Sequence, residues 1–148
     1  MLEVEDMPPK EMHALLQRVG FGHLGCARDN RPYVVPMHYA YDSKDLYFFT
    51  THGTKTEYIA ANPDVCLQVE EVVDRLHWQS VMVNGRAEEI TGREDREHAM
   101  QLITEANPTL KPALSNTRLD SIGRATEIAI YRLRPAIMDG RKTVERPS

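Results

Sequence analysis

The residues best suited to chemistry in this chain lie in one run, Phe48-Phe49-Thr50-Thr51-His52-Gly53-Thr54-Lys55. The order is a strand end, a hydroxyl-rich turn with one glycine, and a helix start. Hydroxyls and free amides at such a turn donate hydrogen bonds, the helix dipole favours negative charge, and Lys55 adds a full positive charge. That is the chemistry of a phosphate site. The plainer alternative is that Thr54 only caps a helix and Lys55 is a solvated surface lysine. A second run, Pro32-Tyr33-Val34-Val35-Pro36-Met37, reads as a strand with proline inside it. Proline cannot donate to a ladder, so the strand lies at an edge, carries a bulge, or leaves its backbone open to another group. Free N–H and C=O groups there suit the polar rim of a flat heterocycle. Trp78-Gln79-Ser80, opening a later strand, offers a stacking ring and polar contacts, although a lone tryptophan is more often core or interface.

Other site types find no support in the residues. The six histidines (His13, His23, His38, His52, His77, His98) show no paired metal-ligand spacing. There is no G-x-S-x-G elbow, and neither Cys26 nor Cys66 has an obvious local base. Gly20, Gly22 and Gly25 imitate a dinucleotide fingerprint, but no parallel strand precedes them and no helix follows.

The elements that must hold these groups follow from periodicity. Pro8 to Val19 reads as a short amphipathic helix, with Met12, Leu15, Leu16 and Val19 on one face and Gly20 ending it. Phe21 to Ala27 reads as a strand, Arg28 to Arg31 as a tight turn centred on Asp29-Asn30, and Tyr33 to Tyr41 as the next strand. Asp42 to Asp45 is a turn into the strand Leu46–Thr50. Thr54 to Ala61 is helical. Val65, Leu67 and Val69 alternate with polar residues, and Trp78 to Ile90 gives a long further strand. Thr91 to about Ala106 is helical, with Thr91 as N-cap and Glu94 completing a capping box. Residues 108–124 are turn-rich and ambiguous, and Glu127 to Leu133 closes the set as a strand. The expected class is mainly β with flanking helices, a small antiparallel barrel in a single domain over residues 1–148.

Composition bounds the function. The 148 residues are 41% apolar and 27% charged, a globular balance. Eighteen basic residues against 22 acidic give a formal charge of −4, which argues against a nucleic-acid partner. No apolar stretch approaches a membrane span and the acidic start lacks a signal-peptide core, so the expectation is a cytoplasmic protein without membrane contact. Two unpaired cysteines exclude a disulfide framework. Tyr33, Tyr39, Tyr41, Tyr47, Phe48 and Phe49 exceed what one barrel interior needs, so some are expected to face a partner copy.

Taken in order, these stretches resemble the pyridoxamine 5'-phosphate oxidase-like superfamily of FMN-binding split barrels, and within it the nitroimidazole-resistance branch. The residues that carry the resemblance are Gly20-Phe21-Gly22-His23-Leu24, Arg31 to Pro36, Leu46-Tyr47-Phe48, Lys55, Asn62-Pro63-Asp64-Val65-Cys66 and Trp78 to Glu88, about half the chain. The resemblance implies an antiparallel split β-barrel, a homodimer with the cofactor at the subunit interface, and FMN as that cofactor. Val35, Pro36 and Met37 would face the isoalloxazine ring, with His38 at the end of the same strand. His38 could be a proton donor, a ligand or a satisfied barrel histidine. Thr50, Thr51, Thr54 and Lys55 would hold the phosphate and ribityl chain, and Trp78, Gln79 and Ser80 would reach the cofactor from the partner. The activity implied is an FMN-dependent oxidoreductase that takes hydride from NAD(P)H and reduces a small organic acceptor, nitroreductase-like or related. The alternative is a non-catalytic flavin carrier or stress-response protein, or a split barrel holding haem or a deazaflavin. Two departures bear on this. The nitroimidazole-resistance branch often has a histidine where this chain has Phe49, with His52 three residues on as a partial substitute or simply a solvated loop residue. Arg132-Leu133-Arg134-Pro135 echoes the start of the C-terminal segment of true pyridoxamine-phosphate oxidases, but Trp78 is the only tryptophan, so vitamin B6 oxidation is not expected.

Overall fold

In the computed structural model, residues 1–110 and 128–147 are described. Eight strands and three α-helices alternate in the order β1 Leu2–Asp6, α1 Pro9–Val19, β2 Phe21–Arg28, β3 Arg31–His38, β4 Ala40–Tyr41, β5 Leu46–Thr51, α2 Thr54–Ala61, β6 Asp64–Asp74, β7 His77–Glu89, α3 Arg93–Ala106 and β8 Ile128–Glu145. A 3-10 turn over Pro108–Leu110 follows α3. The sheet is antiparallel in the order β3-β2-β6-β7-β8-β5-β4, and β1 pairs with the far end of β8.

Local chemistry explains most boundaries. Gly20, at φ 75°, ends α1 in the left-handed conformation that glycine adopts without a Cβ penalty. Asp29 and Asn30 both have positive φ (51° and 64°), the requirement of the two-residue hairpin turn whose twist matches β2 and β3. Leu24, Leu67, Val69, Val81, Val83 and Phe48 point into the barrel, and α1 caps it with Leu15 and Leu16, all fully buried. Each of those two leucines contributes roughly 1.5–3 kcal/mol. α3 covers a second, smaller cluster with Ala99, Met100 and Ile103 against Tyr47 and Ile130.

The sheet is not closed. β3 and β4 are its two edges, yet only Tyr39 separates them in the chain. Tyr39 still donates its N–H to the Gly20 carbonyl and its hydroxyl to the Leu16 carbonyl, after which Ala40-Tyr41 pair with Tyr47 and Leu46 of β5. The single strand expected over Tyr33–Tyr41 is therefore two, divided at the point where the chain crosses from one sheet edge to the other. This is the antiparallel split barrel.

Three other expectations change. Thr91 does not cap α3: Gly92 is the N-cap, without a side-chain cap bond. The closing strand runs to Glu145 rather than Leu133, because Pro135 falls where the β7–β8 register shifts between Asn84 and Gly85, so a bulge absorbs the missing N–H. The aromatic residues expected to face a partner are largely taken up by this chain: Tyr39, Tyr41, Tyr47 and Phe48 are buried, and Tyr33 packs on Tyr58 of α2. Of the ambiguous 108–124 segment, residues 111–124 lie outside the described residues, as does Glu127.

Candidate functional site

The split leaves a seam between two strand edges. β4 pairs with only Leu46 and Tyr47, so among the described residues Phe48–Thr51 of β5 have no strand partner on the side away from β8. β3 approaches β5 there without pairing, and β3 is bonded on its other side to β2. In a two-residue hairpin the hydrogen-bonded pairs alternate from the turn outward. Counting from Arg28↔Arg31, the bonded pairs are Cys26↔Tyr33, Leu24↔Val35 and Gly22↔Met37, and the Tyr39 N–H bond to Gly20 keeps that phase. Pro32 and Pro36 both fall at non-bonded positions, so neither deprives the ladder of a donor. Val34 and His38 turn their backbone N–H and C=O to the open edge, and Pro32 and Pro36 add carbonyls.

The predicted β3 residues thus divide by face. Met37 is buried and Val35 half-buried, both against the core, whereas Pro36 is exposed on the outer face. His38 is half-buried, with Nδ1 3.1 Å from Oδ1 of Asn107 and its ring edge-on to Phe21 at 4.9 Å between centroids.

At the other end of the seam, β5 runs into α2 with an open N-terminus. The N-cap is Gly53, which has no side chain to cap with, and a Cβ there would meet nothing within 4 Å. Thr56 Oγ1 accepts from the Gly53 N–H at 2.9 Å, and the first helical bond is Glu57 N–H to Gly53 C=O. Among the described residues, the amides of Thr54, Lys55 and Thr56 carry no hydrogen bond, as expected of an uncapped first turn. Thr51 and Thr54 are exposed and Lys55 half-buried. Thr50 is buried, its hydroxyl donating to the Thr51 carbonyl at 3.2 Å. Burial raises the Cys26 thiol's pKa and Cys66 adds to the rise, while the Lys55 ammonium pulls it back. His52 is exposed.

Trp78, Gln79 and Ser80 are not part of this seam within one chain. Ser80 pairs with Glu70, two residues past the Gln68↔His23 pairing, and Gln68 donates to its hydroxyl at 2.8 Å. Gln79 donates to Glu71, which also holds Arg18 of α1. Trp78 and Gln79 line a 260 Å³ recess with Glu11 and Lys142. A larger hollow of 640 Å³ sits on the outer sheet face over Gly25, Val34, Cys66, Asn84 and Arg86; Pro32 and Val34 of the predicted β3 run line it, and the other predicted site residues do not. That face also exposes Phe21, Met82 and Ile137.

Two participants were not singled out by the sequence reading. Asn107-Pro108 marks a helix end, but nothing local links Asn107 to His38 and Tyr39, 68 or more residues away. Thr56 could have been found from its spacing to Gly53, three residues on, which is the reach of a capping side chain.

Comparison with known proteins adds an independent line. The family model for pyridoxamine 5'-phosphate oxidase matches residues 8–142. An uncharacterised protein of Rhizobium meliloti (strain 1021) is 34% identical over 104 residues, 68% of this chain and 69% of its own. Among solved structures, an FAD-binding protein of Mesorhizobium loti superposes with a TM-score of 0.78 at 30% identity, covering 98% of this chain and 100% of its own. A candidate 5-nitroimidazole antibiotic resistance protein of Bacteroides thetaiotaomicron gives 0.74 at 18% identity, covering 99% and 93%, a likeness of fold alone.

Proposed function

The chain belongs to the pyridoxamine 5'-phosphate oxidase family, and from that premise we propose that it is a flavin-binding protein whose cofactor is FMN, held in the seam between β3 and β5. The observation that carries this reading is the uncapped start of α2. Among the described residues, three amides without a hydrogen bond, the exposed Thr51 and Thr54 and the half-buried Lys55 follow one another where the open edge of β5 runs into α2. A phosphate monoester completes the first turn that Gly53 leaves open. The β3 edge then supplies Val34 and His38 N–H donors and four carbonyl acceptors to a polar ring rim, while Val35 and Met37 serve as the packed side of the same strand.

The flavin, when bound, supplies the redox chemistry; the chain's residues bind, orient and shield it. On this reading the protein is an oxidoreductase that passes electrons from NAD(P)H to a small organic acceptor. The site is completed in a homodimer. The outer face of β2, β3, β6 and β7 exposes Phe21, Val34 and Met82, with Ile137 of β8 beside them, and pairing that face with a second copy would cover them. The partner's Trp78, Gln79 and Ser80 then reach the seam that the same residues cannot reach within one chain. A cytoplasmic location belongs to this reading; among the described residues no helix is long and apolar enough to cross a membrane. FAD is the second reading, favoured by the Mesorhizobium loti relative, which binds it, and by the open space around Gly53 where a diphosphate could continue.

The absorption spectrum of the purified protein tests the proposal, with the chromophore identified after heat release. Flavin bands with FMN released, and bleaching by NADH or NADPH, are expected. FAD in the supernatant selects the second reading. A Soret band, or a colourless protein that takes up neither flavin, overturns the proposal.

A further inference from the structure

We propose that His38 is held as its Nδ1–H tautomer by Asn107, and that its Nε2 is the hydrogen-bond acceptor for the ring N–H of the bound flavin. The inference rests on the flavin reading above and adds the residue that recognises the ring and the residue that positions it.

Donors and acceptors around Asn107 fix the tautomer. The Asn107 Nδ2 amide donates to two backbone carbonyls, Tyr39 O at 3.0 Å and Ile103 O at 3.2 Å. Carbonyl oxygens only accept, so the orientation of this buried side chain is settled: NH2 faces the carbonyls and Oδ1 faces His38. Oδ1 also only accepts. The 3.1 Å contact with His38 Nδ1 therefore places the proton on Nδ1, and in a neutral imidazole Nε2 is then a lone-pair acceptor.

The anchor itself cannot easily turn. Asn107 ends α3, donates the helix's last bond from its N–H to Ile103 O, and lies against Gly20, where an added Cβ would come within 3.2 Å of Oδ1. Phe21 holds the imidazole from the side at 4.9 Å, with His23 on the other flank of Phe21. A side chain fixed by one hydrogen bond and one aromatic contact keeps its second nitrogen in one place.

Position along β3 fits the assignment. Tyr33, which packs on α2, precedes His38 by five residues, roughly 17 Å of extended strand. That is on the order of the span from phosphate to ring in an extended flavin mononucleotide. His38 also turns its own backbone N–H to the seam, so one residue offers a donor and an acceptor, the complement of a ring edge that alternates carbonyl and N–H.

The test reads the tautomer first, without flavin. Nitrogen-15 spectra of the histidine rings in the apo protein should show His38 with a pyrrole-like Nδ1 and a pyridine-like Nε2. On addition of FMN, the Nε2 resonance should move toward the hydrogen-bonded position. Two substitutions at His38 avoid disturbing α3. Glutamine places an amide oxygen where Nε2 stands, and asparagine places an amide nitrogen where Nδ1 stands. His38→Gln should keep FMN affinity within about twofold, whereas His38→Asn should weaken it roughly tenfold, the loss of one hydrogen bond. An Nε2–H tautomer, equal affinities for the two variants, or an unmoved His38 signal with FMN bound would overturn the inference while leaving flavin binding intact. Failure of the wild-type protein to bind any flavin overturns the functional reading, whatever the tautomer.

Discussion

The two ends of β3 handle polar groups in opposite ways. Where β5 meets α2, donors are left open: Gly53 brings no cap, three amides stand free, and Lys55 keeps an exposed face. Where β3 meets β4, Asn107 closes Tyr39 O, Ile103 O and His38 Nδ1 with one side chain. Buried polar atoms without partners cost about 1–3 kcal/mol each, so the closed end is what a stable fold demands. The open end lies at the surface, where water can satisfy the amides until an anion replaces it. On the proposed reading, openness at one end and closure at the other would let one strand admit a ligand and orient it.

Substitutions should separate the two ends, and the largest effect belongs to the closed one. Asn107→Ala strands the buried Tyr39 carbonyl and the His38 Nδ1, while Ile103 O keeps its bond from the backbone N–H at position 107, and should lower stability by about 3 kcal/mol in urea unfolding. A loss below about 1 kcal/mol would mean water replaces the side chain. Lys55→Ala should do the reverse, leaving the urea midpoint in place while FMN affinity falls roughly 10- to 100-fold, the range of a charge-assisted bond. Gly53→Asp sharpens the contrast: it supplies the missing cap and a favourable charge for α2, gaining a few tenths of a kcal/mol. The same carboxylate repels a phosphate, so FMN binding should weaken roughly tenfold in fluorescence titration. Stabilisation without loss of affinity would remove α2 from the site. The smallest effect is with pH. A phosphate monoester gains its second charge at about pH 6, so FMN affinity should fall a few-fold between pH 7.5 and 5.5, and riboflavin affinity should not follow it.

Much of this arrangement was legible in the residues. The Asp29-Asn30 turn, the helix over Thr54–Ala61 and the edge position implied by Pro36 are dictated by local backbone chemistry, and the structure has all three. The misses share a cause, that distant partners override local signals. β1 carries Glu3 and Glu5, poor strand formers, and is a strand because β8 meets it with Lys142, and Arg146 just past β8 pairs with Glu3. Pro135 and Gly140 look like terminators, yet β8 continues through both, the first at a bulge and the second where Met7 and Met12 press on the backbone. The site divides in the same way. The stretch proposed to hold a phosphate is a contiguous run, Thr50 to Lys55, visible in the sequence itself, whereas the proposed ring end depends on Asn107, far along the chain and in another element.

The most direct test of the central claim compares FMN with riboflavin, which has the same ring and no phosphate, in parallel titrations of wild type and Lys55→Ala. The account predicts that wild type prefers FMN by roughly 100-fold and that the substitution removes most of that preference while leaving riboflavin affinity unchanged. Equal affinities of wild type for the two ligands would contradict it, because the open turn at α2 would then hold no phosphate.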